Sequence, residues 1–104
     1  MNPLKKFKKG AIIVHILYHA KKEAIYGAWL KEELTKHGYD ISYGTLYPWL
    51  ARLTNSGYLH VNEKKIKGKI RKYYSITKEG ENHFQKIKQY LKELYNEVIE
   101  EKHT

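Results

Sequence analysis

The apolar residues of this chain change their spacing twice, and those two changes restrict the fold more than any other feature. Up to Gly57 they recur at helical intervals, between Tyr58 and Ile76 they shift toward the alternation of strands, and after Thr77 the helical interval returns. In the first segment, about Leu4 to Ala20, residues Ile12, Ile13, Ile16, Leu17 and Ala20 mark one buried face of a helix. Gly27 separates it from a second periodic stretch, Ala28 to Lys36, in which Trp29, Leu30 and Leu34 share a face and Gly38 supplies a stop. Ser42 opens a third, Tyr43 to Asn55, with Leu46, Trp49, Leu50 and Leu53 at helical spacing and Gly57 as its end. The Ser42 hydroxyl suits an N-cap, because it can satisfy a free amide of the first turn. Pro48 fits awkwardly there. Inside a helix it removes one hydrogen bond and crowds the carbonyl four residues earlier, so the helix either starts later than Ser42 implies or bends.

Beyond Gly57, Tyr58, Leu59 and Val61 read as a short strand, Lys64 to Lys69 as a polar loop carrying Gly68, and Ile70 to Ile76 as a second strand. Paired antiparallel, they form a hairpin with Lys64, Lys65, Lys67 and Lys69 at its tip. Thr77 then caps a long last helix running to about Glu101, where Phe84, Ile87, Leu91, Leu94 and Val98 form a heptad seam. The seam is too short for a stable coiled coil alone. The expected fold is mostly α with a two-stranded β wing. It is a winged helix-turn-helix, residues 1–77, plus a long C-terminal dimerisation helix, residues 78–104, in one compact unit.

Charge divides the chain at the same place. Residues 1–77 hold fifteen Lys and Arg against five Asp and Glu, whereas residues 78–104 hold five against six. A basic body with a nearly neutral tail suits a polyanion-binding unit joined to a part with another task. The bases Lys64, Lys65, Lys67, Lys69, Arg71 and Lys72 fall within nine residues that contain no acid. Such density repels itself unless an anion lies nearby, and neutralised phosphates release counterions. With no Cys, disulfides and Cys-based metal sites are excluded, which fits a reducing cytoplasm. Lys5 to Lys9 ahead of the apolar run Ala11–Tyr18 mimic a signal peptide. His15 interrupts that run, and it is too short to span a bilayer, so it reads as a helix of the fold with no membrane role.

Helices two and three with their short turn form the helix-turn-helix, and the hairpin is its wing. Tyr43, Thr45 and Tyr47 lie at the first turns of the third helix, the part that meets base edges in such folds. Their hydroxyls can bond bases or phosphates, and Thr45 and the Tyr rings can pack on thymine methyls. The helix N-terminus and Ser42 suit a phosphate, and Gly44 lets the backbone approach closely. Expected DNA contacts are therefore Ser42, Tyr43, Thr45, Tyr47, Arg52, Lys64, Lys65, Lys67, Lys69 and Arg71. Expected dimer contacts are Phe84, Ile87, Leu91, Leu94 and Val98, the early ones also serving the core.

The run Ser42-Tyr-Gly-Thr-Leu-Tyr-Pro-Trp-Leu-Ala-Arg-Leu53, followed by Gly57 and a strand, closely resembles the PadR family of transcriptional regulators. Arg71-Lys-Tyr-Tyr-Ser-Ile-Thr-Lys-Glu-Gly80 is similar to the family's wing signature, and Tyr26-Gly27 to a weaker third element. The resemblance implies a winged-helix dimer, usually a repressor, released by a small molecule in some members. It also accounts for Pro48. One departure is notable: small members that bind planar aromatic ligands at the dimer centre use a Trp on the last helix, whereas Trp29 and Trp49 both precede the wing. Phe84, Tyr90 or Tyr95 would have to serve instead.

His15, His19 and Glu23 sit at i, i+4 and i+8 on the first helix, a spacing that can align metal ligands. A surface His pair is the commoner arrangement, so neither metal nor cofactor is assigned, and His37 and His60 read as surface residues near turns. No nucleophile–base pair, carboxylate pair or phosphate-binding Gly loop appears, which argues against an enzyme. The reading is a sequence-specific dimeric regulator of double-stranded DNA at a near-palindromic operator. Two alternatives stay open: a winged-helix protein-interaction module and a nonspecific architectural DNA-binding protein.

Overall fold

A computed structural model describes residues 1–102. Helices α1 (Pro3–Lys22), α2 (Gly27–Lys36) and α3 (Tyr43–Asn55) precede strands β1 (Leu59–Ile66) and β2 (Lys69–Ile76). Helix α4 (Lys78–Leu94) and a π-helical segment, Tyr95–Ile99, follow. This is the expected fold class, mostly helical with a two-stranded antiparallel wing.

The ends of the helices follow from local chemistry. The Asn2 side chain accepts the Lys5 amide hydrogen at 3.0 Å, and Pro3 presets the first turn of α1. Helices α2 and α3 stop in the same manner. Gly38 and Gly57 take φ of 86° and 88°, a left-handed turn that L side chains resist. That turn lets Tyr39 N donate to the Leu34 carbonyl at 2.9 Å and Tyr58 N to the Leu53 carbonyl at 3.0 Å. Gly27, expected as a separator, is instead the first residue of α2, with extended Tyr26 as its cap.

One core joins all the elements. Ile12, Ile16 and Leu17 of α1 meet Leu30 and Leu34 of α2, Leu46 and Leu50 of α3, then Leu59, Tyr74 and Phe84. Helix α3 begins at Tyr43 and continues through Pro48, so a later start is ruled out. The Gly44 carbonyl that Pro48 leaves without its helical partner belongs to an exposed residue, where water can replace the bond.

The hairpin differs from the expectation. Its strands run on through the lysines and close on a two-residue turn, Lys67–Gly68, with φ of 50° and 79°. Two positive φ values in succession match the twist of the flanking strands, so no longer loop is needed. Lys64, Lys65 and Lys69 are therefore strand residues. A further bridge ties the wing down: Ile25 N donates to the Tyr74 carbonyl at 2.9 Å, and Tyr74 N donates back to the Ile25 carbonyl at 2.7 Å. The segment between α1 and α2 thus anchors the wing to the body. Burial raises the pKa of the Tyr74 phenol above its ordinary value and keeps it neutral.

Thr77 makes a joint where α3, the wing and α4 meet. Its hydroxyl donates to the Gly57 carbonyl at 2.6 Å and accepts from Gly80 N at 2.9 Å. Thr77 N donates to the Tyr58 carbonyl at 3.1 Å. Gly80 lies so close to that carbonyl that a Cβ there would overlap it. The last helix does not continue as an α-helix to Glu101. It widens after Leu94, with Glu100 N donating to the Tyr95 carbonyl at 3.1 Å, five residues back. That widening turns Val98 off the strict heptad angle. The Cα radius of gyration is 15.3 Å, against about 13 Å for a compact chain of this length. Among the described residues, no helix is long and apolar enough to cross a membrane.

Candidate nucleic-acid interface

Helix α3 buries Leu46 and Leu50 and turns its other side outward. At about 100° per residue, Gly44, Pro48 and Ala51 occupy the middle of the exposed side. Tyr43 and Tyr47 line one edge of it, and Thr45 and Arg52 the other. The middle is thus shallow and the edges carry the hydrogen-bonding groups, a shape that lets a base-pair edge come close to backbone.

Each edge is held in place. Ser42 Oγ accepts the Thr45 amide hydrogen at 3.2 Å and donates to Thr45 Oγ1 at 3.3 Å, so cap and candidate contact form one unit. The Tyr43 and Tyr47 rings stack with centres 5.6 Å apart, and Lys31 Nζ lies 5.5 Å from the Tyr43 ring centre. The Tyr47 ring tip rests on Gly27, where a Cβ would overlap the phenol. The small residue at the start of α2 is therefore the seat of a candidate contact on α3.

A groove of about 980 Å³ separates α3 from the wing. Tyr47, Pro48 and Ala51 line one wall, and Lys67, Lys69 and Arg71 line the other. The Arg71 guanidinium lies 4.1 Å from the Tyr26 ring centre, and the Tyr73 ring meets Tyr26 edge-on at 5.5 Å. Lys64 Nζ sits 5.1 Å from the Tyr73 ring. A shelf of two tyrosines thus holds two wing cations beside the groove. Residues directly opposite in an antiparallel pair share a face. Lys64 pairs with Arg71, whereas Lys65 pairs with Ile70 and falls on the other face. The expected set of wing bases is therefore split, and Lys65 stands apart from the rest.

The seam residues divide as well. Phe84 is buried against its own chain and Ile87 is half-buried, while Leu91, Leu94 and Val98 are exposed, as are Tyr90, Tyr95 and Ile99. Between α1 and α4 lies an apolar groove of about 950 Å³ with Phe7, Val14, Tyr18, Ile87 and Leu91 in its walls.

The histidine spacing on α1 works out differently from the expectation. Glu23 is the extended C-cap of α1, so the helical alignment ends before it. The group near His15 and His19 is His37, at the end of α2. Burial, more than any neighbouring charge, lowers the pKa of both His15 and His19 and favours their neutral forms. Tyr26, Tyr73 and Lys31 were also absent from the expected site. The Tyr26-Gly27 element and the Arg71-Lys-Tyr-Tyr wing motif contain the first two, and no motif marks Lys31.

Comparison with known proteins matches this arrangement. The model of the transcriptional regulator PadR-like family covers residues 16–86. Transcriptional regulator Rv3488 of Mycobacterium tuberculosis is 38% identical over 96 residues, which is 92% of this chain and 90% of that protein. A PadR-like transcriptional regulator from Bacillus cereus superposes with a TM-score of 0.82 at 32% identity, covering 91% of this chain and 94% of that one. A PadR family regulator from Eggerthella lenta gives 0.83 at 29% identity, covering 93% and 86%.

Proposed function

This chain belongs to the transcriptional regulator PadR-like family, whose members are DNA-binding regulators and not enzymes, and from that premise we propose that it acts as a dimeric, sequence-specific repressor. The observation that carries the reading is the shared groove: Tyr47 of α3 and the cations Lys69 and Arg71 of β2 line one space. In this reading residues 1–77 engage DNA. Tyr43, Thr45 and Tyr47 meet base edges, and Ser42, Arg52, Lys64, Lys67, Lys69 and Arg71 meet phosphates. Lys65, on the other face of the wing, contributes least.

Residues 78–104 provide the pairing helix, of which 103 and 104 lie outside the described residues. A second copy would lay Leu91, Leu94 and Val98 into the apolar groove between α1 and α4. Pairing places two recognition helices in successive major grooves, about 34–36 Å apart, and so selects a near-palindromic site. Repression requires only that such a site overlap a promoter, and a cytoplasmic location goes with that role. The α1–α4 groove also has the size and apolar lining for a small aromatic inducer. Phe7, Tyr18 and Phe84 are the aromatic rings that line it, and Tyr90 and Tyr95 lie outside it.

Fluorescence anisotropy with a duplex from the promoter of its own gene tests the reading. The expected result is binding at least about 10³-fold tighter than to bulk DNA, with a steep loss of affinity at high salt. Equal affinity for every duplex identifies an architectural binder instead. No DNA binding, alongside retention of a protein partner, identifies an interaction module.

A further inference from the structure

One side-chain cluster outside the groove between α3 and the wing, three histidines from α1 and the end of α2, has the composition of a metal site. The candidate ligand atoms of His15, His19 and His37 all lie within 4.8 Å of one another. A tetrahedral ion with bonds of about 2.0–2.1 Å holds its ligand atoms roughly 3.4 Å apart. Closing the set to that separation takes side-chain rotation, for which exposed His37 has room. His15 and His37 already stack with ring centres 4.9 Å apart, and His15 and His19 lie 6.0 Å apart and nearly parallel.

Two further observations point to a ligand. The first is His19 Nε2, a buried nitrogen with no hydrogen-bond partner among the described residues. Leaving such an atom unsatisfied is costly, and a bound cation would satisfy it. The second is Glu33, one turn before His37 on α2. Its Oε1 lies 3.4 Å from His37 Nε2. Carboxylates hold and orient metal-bound imidazoles in this way. Around the triad, Trp29 meets His19 edge-on at 5.2 Å and Tyr39 meets His15 edge-on at 5.3 Å, so rings limit access from the sides.

We propose that His15, His19 and His37 form a site for one first-row divalent ion of the zinc, cobalt and nickel group, with Glu33 orienting His37 behind it. Three imidazoles suit these ions, whereas magnesium and calcium require oxygen ligands. The location gives the site a consequence. His15 and His19 belong to α1, which lines the pairing groove, and His37 closes α2 just ahead of the turn into α3. An ion clamps those two helices together and so fixes the recognition helix relative to the pairing surface. This regulatory half rests on the DNA-binding reading above, and the site itself does not.

The experiment uses tag-free protein stripped of metal. Zinc is titrated by calorimetry, and cobalt by its visible absorption together with quenching of Trp29 fluorescence. The expected result is one ion per chain with a Kd of about 1 µM or tighter and a cobalt spectrum of tetrahedral type. His37→Ala removes an exposed ligand without opening the core, and should weaken binding at least tenfold while leaving the metal-free melting curve unchanged. Glu33→Gln should weaken it about tenfold. Binding no tighter in the native chain than in His37→Ala overturns the site. Anisotropy on the promoter duplex with and without zinc then tests the regulation: a change of threefold or more supports it, and tight zinc binding with unchanged DNA affinity overturns that half alone. Zinc binding in a protein that binds no duplex leaves the site standing and removes the DNA-binding reading.

Discussion

Helices α3 and α4 start alike and are covered differently. In each, a hydroxyl residue accepts the amide hydrogen of the residue three positions on, Ser42 from Thr45 and Thr77 from Gly80. Each carries an apolar stripe at helical spacing. Helix α3 buries its stripe in its own chain, with Leu46 and Leu50 at 0% exposure. Helix α4 and the π-helical segment after it bury only the first half of theirs: Phe84 is 5% exposed, but Leu94 is 48% and Val98 is 60%. Equal stripes thus serve two tasks. One holds the fold together, and the other is left uncovered by its own chain and meets a second copy in the proposed dimer.

Five variants test that contrast and the surfaces around it. Leu50→Ala leaves a cavity where every neighbour is in contact, so urea unfolding should show a loss of about 2–5 kcal/mol at any protein concentration. A paired change, Leu94→Glu with Val98→Glu, should barely alter the helical circular dichroism of the monomer. It should weaken self-association by tenfold or more in sedimentation experiments. A large loss of monomer helicity instead would mean that this half of α4 is covered by its own chain.

Gly27→Ala comes next. The added Cβ pushes the Tyr47 ring off its seat, and because Tyr47 is 43% exposed the ring can move toward solvent, so stability should fall by about 1 kcal/mol or less. Binding to the promoter duplex should weaken by about tenfold, or ~1.4 kcal/mol. Unchanged binding would remove Tyr47 from the interface. The smallest effect is expected on the wing. Arg71→Ala should lower affinity for all sequences and reduce the salt slope by about one, whereas Lys65→Ala should change neither.

The features legible in the sequence are those that repeat along the chain. The stripes of α1 to α4, the caps at Ser42 and Thr77 and the stops at Gly38 and Gly57 are local, and each left a spacing or a residue type to read. The wing was harder. Four lysines between Lys64 and Lys69 have the composition of a loop, and Lys67–Gly68 is a weaker hairpin signal than Asn-Gly. Charge therefore hid strands that pair through Ile66 and Lys69. What joins distant segments left no periodic trace. The Ile25–Tyr74 bridge, the Tyr26–Tyr73 shelf, the Tyr47 seat on Gly27 and the approach of His37 to His15 all link residues from separate elements. Each depends on the packing angle between helices, which no single stripe encodes. The widened turn after Leu94 was missed for another reason, since Tyr95 to Ile99 have the composition of an ordinary helix.

The Thr77 joint makes the molecule a gauge of length. The end of α3, both ends of the wing and the first turn of α4 are tied within a few bonds around Thr77, with no room at Gly80 for even a methyl group. In the proposed dimer, two such joints would limit how far the recognition helices can shift in separation and rotation. A base pair inserted at the centre of an operator moves the half-sites apart by about 3.4 Å and turns one against the other by about a tenth of a helical turn. A flexible hinge would absorb that change. The Thr77 joint is no such hinge, and in the proposed dimer the spacing between half-sites would be as much a part of the recognised sequence as the bases within them.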